Sequence, residues 1–234
     1  MVFALPALVF SANSLRGGSN SGHEINRSGI SYSFHCLPSG LLSPNTKNLI
    51  GSGTVVHVPQ FFKELKKLQE QGIKTEGRIF ISDRAHVLFD LHKRIDGLEE
   101  KALGGAKIGT TGNGIGPCYS SKAARTGVRM ADMLDKANFE HRLRQLARSK
   151  KNEFGDLLDY DVEQEIKEFD KTYREELRPY IIDGIDMICT AQDQNKQILV
   201  EGANALMLDI GKPSTCSRVV ETKQFRPRNM AISY

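Results

Sequence analysis

The sequence predicts an α/β fold with a mostly parallel β-sheet and helices on both of its faces. Strand-like and helix-like segments alternate along the 234 residues, which is typical of strands joined by crossover helices. The segment "QILVEG" (197–202) carries a continuous apolar run of strand length, which indicates a strand covered on both faces. The segment 61–71 has its apolar residues at helical spacing, and Gly72 follows where a C-terminal glycine cap belongs.

The other elements are predicted from alternation or from short apolar runs. Residues 31–36 alternate polar and apolar side chains, which predicts a half-buried strand after a turn at Gly29. The remaining predictions are strands at 54–58 (ended by Pro59) and 78–82, a loop at 37–48, and helices at 83–98, 120–134, 139–146, 162–177 and 181–191.

Composition excludes several classes of protein. Apolar residues make up 39% and charged residues 26% of the chain, which is ordinary for a globular domain, and the net charge of +4 is mild. No dense Lys/Arg block predicts nucleic-acid binding, and no segment is long and apolar enough to predict a membrane span. The four cysteines form no CxxC pair, so we expect neither a zinc site nor a disulfide framework, and a reducing compartment.

The first 13 residues, "MVFALPALVFSAN", include an apolar run as long as that of a signal peptide. No positive charge precedes this run, as it would in a signal peptide, so a buried strand or an atypical start is the better interpretation.

The stretch "IGTTGNGIGPCYSSKAARTG" (108–127) combines glycines and threonines with the cations Lys122 and Arg125, and Arg129 follows. Glycines allow backbone N–H groups to approach an anion, and arginine suits bidentate phosphate contact. This pattern is compatible with a phosphate cradle that has cations on the next helix. It is equally compatible with a flexible connector followed by a solvated basic helix, because no Gly-Lys-Ser/Thr ends it.

Two further segments are candidates. In "GGSNSGHEI" (17–25), His23 follows a glycine-rich turn, so it is free to face a ligand; the alternative is a surface histidine. In "VEGANALMLDI" (200–210), Glu201, Gly202 and Asn204 lie near the carboxyl end of a strand, where ligands of open α/β sheets bind. The alternative there is a capped turn with Asn204 bonded to backbone. The other five histidines show no metal-ligand spacing and are interpreted as structural or exposed.

Together these segments resemble adenylosuccinate synthetase, and eukaryotic, particularly fungal, members most. "GGSNSGHEI" is similar to the family's GGNNAGHT segment. The long stretch from "YSFHCLPSGLL" to "PQFFKEL", and then "ISDRAHVLFDLH", the glycine-rich stretch and "ILVEGANALMLDI", match in the family's order. The resemblance implies a P-loop-NTPase-like fold in an incomplete single domain over 16–210, with atypical segments at 1–15 and 211–234.

The resemblance also implies a function. Family members are GTP-dependent ligases of IMP and L-aspartate, with Mg²⁺ bridging the nucleotide phosphates, and they are cytoplasmic homodimers. The resemblance implies that His23 is the general acid toward the leaving GDP and that the Gly22 carbonyl is a Mg²⁺ ligand. It implies GTP contacts at Gly22, His23 and Glu24, and a contact of Arg125 with IMP in the partner subunit. The implied IMP contacts within the subunit are Asn20, Ser21, Gly22, His23, Thr111 and Asn204.

The sequence also departs from the family pattern. It holds no GDEGKGK-type loop, which binds GTP and carries the catalytic aspartate, and no acidic residue precedes Glu24. No FGTYP segment or aspartate loop follows "LDI". Ser19, Ser21 and Glu24 replace Asn, Ala and Thr, and the Glu24 carboxylate is expected to repel bound phosphates. We therefore expect little or no synthetase activity from this polypeptide.

Three hypotheses stay open at the sequence level. The gene encodes a full ligase of which this sequence is an incomplete version; or the chain is a non-catalytic module that dimerises with an intact subunit; or it is a generic phosphate-binding α/β module.

Overall fold

A computed structural model describes the backbone of residues 7–10, 23–27, 29–103, 112–201 and 230–233, with the side chains of 24–27, 29–103 and 112–201. The strands are β1 (Ala7–Phe10), β2 (His23–Arg27), β3 (Ile30–Phe34), β4 (Lys47–Ile50), β5 (Val55–Val56), β6 (Ile79–Ser82), β7 (His86–Val87), β8 (Ile181–Ile182), β9 (Ile198–Glu201) and β10 (Met230–Ser233).

Seven α-helices lie within the described residues. They are α1 (Val58–Glu70), α2 (Asp90–Ala102), α3 (Ile115–Ala123), α4 (Lys136–Phe154), α5 (Val162–Glu168), α6 (Arg174–Leu177) and α7 (Gly184–Asp193). A π-helical turn, Phe169–Tyr173, joins α5 to α6, and a 3₁₀ turn, Met130–Leu134, precedes α4.

Six strands form the main sheet, in the order β10-β9-β1-β4-β6-β8. Strand β1 is antiparallel to both of its neighbours, β4 and β9, and the other three pairings are parallel. Five strands therefore run in one direction and β1 opposes them, which confirms the predicted mostly parallel sheet. Outside this sheet, β2 and β3 form a hairpin and β5 pairs with β7.

Helices cover both faces of the sheet, as predicted. On β6, Ile79 and Ile81 belong to a large core that also contains the buried faces of α1, α2, α4 and α5. Phe80, which points to the other face because strand side chains alternate, packs instead in a small cluster with α7. The two apolar clusters thus lie on opposite sides of one sheet.

Several predicted elements are confirmed. Tyr32 and Phe34 of β3 are buried while Ser31 is exposed, as the alternation predicts. Helix α1 buries Phe61, Leu65 and Leu68, and the chain leaves it through Gly72 at φ +82°. The predicted helices at 139–146 and 162–177 and the strand at 197–202 are also present, with somewhat different ends.

The helix predicted from Asp83 begins only at Asp90, so that prediction was wrong for residues 83–89. The backbone there makes strand contacts: the Val87 N–H donates to Val128 O and the Leu88 N–H to Val56 O. Val87 and Leu88 are buried because they lie in and directly after strand β7, although their spacing is that of the buried face of a helix.

Other boundaries shift for local reasons. The strand predicted at 54–58 ends at Val56, because His57 caps α1 and Pro59 fits the first helical turn, where its missing N–H costs nothing. The predicted loop at 37–48 runs into β4, which begins at Lys47. The helix predicted at 120–134 is α3, which starts earlier and ends at Ala123. The helix predicted at 181–191 starts at Gly184, after the short β8.

Candidate functional site

Five of the predicted site residues lie outside the described residues. They are Asn20, Ser21, Gly22, Thr111 and Asn204. The backbone of His23 is described, and both backbone and side chain of Glu24 and Arg125 are. His23 is the first residue of β2 and pairs in register with Phe34 of β3, so the hairpin fixes its position along the chain.

Glu24 lies on the outer side of this hairpin. Its side chain is exposed, whereas its neighbour Ile25 packs against the large core. The Ser31 hydroxyl donates to Glu24 Oε1 over 2.6 Å. The carboxylate that replaces a neutral residue of the family pattern is therefore engaged by a hydroxyl of the facing strand.

The base of the hairpin is fastened by Glu64, a buried residue of α1 that sequence reasoning missed. Its Oε1 accepts the backbone N–H groups of His35 (2.7 Å) and Leu37 (3.2 Å), and its Oε2 accepts that of Cys36 (2.7 Å). One carboxylate thus satisfies three consecutive amides directly after Phe34, the register partner of His23.

The end of the glycine-rich stretch is packed tightly. Gly112 and Gly114 have left-handed φ values of +67° and +75°. A Cβ on Gly114 would lie 2.6 Å from the backbone carbon of His92 in α2, so only glycine fits there. The Gly114 N–H donates to the buried Asp96 Oδ2 over 2.8 Å. A carboxylate of the protein therefore already accepts this amide, while the part of the candidate cradle around Thr111 lies outside the described residues.

Helix α3 docks on the loop that follows β4, at the carboxyl edge of the sheet. Lys122 Nζ donates to Ser52 O over 2.5 Å, and the Tyr119 hydroxyl donates to Gly53 O over 3.0 Å. Burial lowers the pKa of Lys122. This lysine, a candidate anion contact in the phosphate-cradle interpretation, fixes α3 to the sheet edge.

The prediction that Lys122, Arg125 and Arg129 share one helix was wrong. Only Lys122 belongs to α3. Arg125 lies two residues beyond the helix in a left-handed conformation, φ +62°, and Arg129 precedes the Met130–Leu134 turn, where it forms an ion pair with Asp132. Among the described residues no side chain bonds to the Arg125 guanidinium, which is exposed. It is the cation of the three that is open to a ligand.

Glu201 ends β9 and is buried, so it is not a ligand-facing residue past the strand as predicted. Its Oε2 accepts both the backbone N–H (3.1 Å) and the hydroxyl (2.9 Å) of Ser39. The predicted neighbours Gly202 and Asn204 lie outside the described residues.

Several histidines have structural surroundings. His57 Nδ1 accepts the Gln60 N–H at the start of α1, and Lys93 Nζ lies 2.8 Å from both His57 Nε2 and Asp90 Oδ1. The hydrogen bond from His57, with the neighbouring Lys93, lowers the pKa of Asp90.

Across the described residues, no three His, Cys, Asp or Glu side chains are grouped so as to hold a metal ion. None of the described helices is both long and apolar enough to cross a bilayer.

Comparison with known proteins gives a consistent result. The model of the family described as "Adenylosuccinate synthetase" matches residues 12–214. Adenylosuccinate synthetases of Pyrenophora tritici-repentis and Aspergillus fumigatus are 57% and 60% identical to this chain over 195 residues. The matched region is 83% of this chain, 46% of the Pyrenophora protein and 45% of the Aspergillus protein. The chain therefore spans about half the length of the curated relatives it matches.

A solved structure of fully ligated adenylosuccinate synthetase from Plasmodium falciparum is similar in fold. The TM-score is 0.75 at 37% sequence identity, over 85% of this chain and 46% of that one.

Proposed function

Because the chain belongs to the adenylosuccinate synthetase family, we propose that it binds the 5′-phosphate of IMP as a homodimer, with Arg125 of each subunit reaching the site of the other. The observation that supports this most directly is the placement of Arg125. Its guanidinium is exposed beyond the end of α3, whereas Lys122 and Arg129 are held by protein groups. An exposed guanidinium at a helix end suits bidentate contact with a phosphate from another subunit.

The other ligand contacts are proposed from the family motif. Thr111 would bind the same phosphate and Asn204 would lie beside IMP, with the segment that includes Asn20 and Ser21 completing the IMP site. Gly22, His23 and Glu24 would contact GTP. We assign residues 16–210 to the synthetase part and 1–15 and 211–234 to flanking segments, and we place the protein in the cytoplasm.

The reaction proposed for the family's full site has two steps. GTP transfers its γ-phosphoryl group to the 6-oxygen of IMP, which turns a poor leaving group into a good one; the amine of L-aspartate then displaces phosphate and gives adenylosuccinate. His23, as general acid, would protonate the leaving GDP oxygen. Its position in register with Phe34, whose following amides Glu64 holds, supports a fixed backbone at this point.

Mg²⁺ would neutralise the charge of the nucleotide phosphates when bound. The carbonyl of Gly22 is the protein ligand that we propose for it. Among the described residues, no cluster of three His, Cys, Asp or Glu side chains would add further ligands.

Calorimetric titration of the 234-residue protein with IMP tests the proposal. We expect binding to IMP, weaker binding to inosine, which lacks the phosphate, and a loss of about tenfold or more in IMP affinity for Arg125→Asn. Asparagine removes the guanidinium but tolerates the left-handed backbone, so folding is preserved. Arg148→Ala, at another exposed arginine, is the matched control. Equal affinity for IMP and inosine, or an Arg125→Asn protein that binds IMP like the wild type, would refute the proposal.

A binding module without turnover is the second candidate function, and one observation favours it. These 234 residues include no acidic residue before Glu24, so none of them takes the place of the family's catalytic aspartate. Loss of such a base alone costs about 10²–10⁴-fold in rate. In the same preparation, we therefore expect IMP binding without measurable adenylosuccinate formation from IMP, GTP and aspartate. Turnover at an ordinary enzyme rate would exclude this second candidate.

A further inference from the structure

Arg125 lies on a short loop, 124–129, that leaves α3 and returns to strand β7. The Thr126 and Gly127 N–H groups both donate to Ser121 O, over 3.0 and 3.1 Å, which closes the turn. Arg125 adopts its left-handed φ at the apex of this turn. Residues other than glycine rarely adopt that region, so the surrounding contacts must hold Arg125 there.

The returning part of the loop is pressed against β7. A Cβ on Gly127 would meet His86 Cδ2 at 2.8 Å, so the backbone packs closely against the imidazole ring. Val128 O accepts the Val87 N–H over 2.8 Å, and Arg129 forms an isolated β-bridge with His86. One side of the loop is thereby fixed to β7, which pairs with β5 outside the main sheet.

The other side is held by Asp132, whose side chain is only 3% exposed. Its Oδ2 accepts the Arg129 backbone N–H over 2.8 Å, and its Oδ1 accepts from Arg129 Nη2 (3.2 Å) and Asn138 Nδ2 (3.0 Å). Arg142 of α4 connects Asp132 to the loop, because its Nε lies 3.5 Å from Asp132 Oδ1 and its Nη1 donates to Gly127 O over 3.4 Å.

These groups form one connected unit between α4 and the loop. Burial by itself would raise the pKa of Asp132, but hydrogen bonds from Arg129 and the charges of Arg129 and Arg142 lower it overall, so the carboxylate is ionised at neutral pH. Removing one member leaves a buried charge or a backbone carbonyl without its partner.

We propose that Asp132 and Arg142 are positioning residues that hold the 124–129 loop so that the Arg125 guanidinium is presented outward. Neither residue contacts the ligand in this scheme; both act through the backbone of the loop. The inference rests on the proposed function for what Arg125 binds, but the loop geometry itself does not depend on IMP.

Asp132→Asn tests the positioning role, and Arg142→Gln does so independently if the first variant folds poorly. The first measurement is hydrogen exchange of the Thr126 and Gly127 amides without ligand. We expect about tenfold faster exchange in either variant. Asp135→Asn is the matched control, because Asp135 is an exposed aspartate three residues away that caps α4 and has no contact with the loop. Unchanged exchange in both test variants would overturn the proposal.

The second measurement is a double-mutant cycle on IMP affinity. Asp132→Asn and Arg125→Asn should each weaken binding, and the double variant should be no weaker than Arg125→Asn alone, since both changes remove the same contact. Fully additive losses would overturn the positioning role, because general destabilisation would not depend on Arg125. If the wild-type protein fails to bind IMP, the proposed function fails, and hydrogen exchange alone decides whether the loop is held as inferred.

Discussion

The two faces of the main sheet are built very differently within the described residues. On one face, α1, α2, α4 and α5 bury a large core in which Phe89, Phe139 and Phe169 contact one another, with ring centroids 5.4 to 6.2 Å apart. On the other face, α7 covers a cluster with four buried residues, and Ile185 and Cys189 of that helix remain exposed.

The two faces of the sheet therefore differ in how much they contribute to the stability of the fold. Hydrophobic stabilisation scales with the apolar area removed from water. The face covered by α1, α2, α4 and α5, here called the helical face, therefore supplies most of it. Three of the buried acids on that face accept backbone N–H groups of the candidate segments: Glu64 those of 35–37, Asp96 that of Gly114, and Asp132 that of Arg129, at the end of the Arg125 loop. The loops of the candidate site are thus fastened to the well-packed side of the molecule.

The largest expected effect comes from removing an aromatic ring on the helical face. Phe169→Ala should lower the free energy of unfolding by about 3–5 kcal/mol, because the ring is 2% exposed and its loss leaves a cavity. Ile188→Ala on α7 should cost only about 1 kcal/mol, since that side chain is already half-buried. Urea unfolding of both variants measures the contrast, and equal losses would contradict the unequal division of the core.

A smaller effect is expected at the acid that fastens the hairpin. Glu64→Gln keeps the shape but replaces one acceptor oxygen with a donor, so at least one backbone amide of 35–37 loses its partner. We expect a loss of about 2 kcal/mol in unfolding free energy. Glu70→Gln, at the exposed end of the same helix, should change it by less than about 0.5 kcal/mol. Equal unfolding free energies for the two variants would show that the hydrogen bonds of Glu64 do not contribute to stability.

The last effect, which vanishes at neutral pH, is a pH dependence from His86, which lies under the Arg125 loop. Burial and then the charge of Lys122 lower its pKa from 6.5 to about 4. Between about pH 4 and 6.5 the unfolded chain therefore binds the proton that the folded chain rejects, so stability rises with pH across this window and is lost below it. The buried His92, whose pKa burial lowers to about 3, acts in the same direction.

Melting temperatures recorded from pH 4 to 7 test this dependence. His86→Gln should flatten the rise of melting temperature with pH, whatever its effect on absolute stability. His141→Gln, at an exposed histidine of α4, should leave the slope as in the wild type. A slope that persists unchanged in His86→Gln would show that His86 is not the group that titrates.

Much of the architecture could be predicted from local patterns. The spacing of Phe61, Leu65 and Leu68 predicted α1, and the alternation at 31–36 predicted β3, because periods of 3.6 and 2 follow from backbone geometry. The same logic failed at Val87 and Leu88, whose spacing imitates a helix. There the pairing with Val56 and Val128, far away in sequence, decided the outcome.

By itself, the sequence determined the family, the alternation of strands and helices, and which residue types are candidates for the phosphate contact. Only the tertiary structure decided which of them are open to a ligand. Lys122, Arg125 and Arg129 are alike as letters in one basic stretch, yet Ser52 and Asp132 engage the first and last and leave Arg125 exposed. For Lys122 the physical reason is that its partner, Ser52, comes from a distant segment, about which local spacing carries no information. Asp132 is only three residues from Arg129, but its burial, which makes the ion pair necessary, is decided by the packing of the fold.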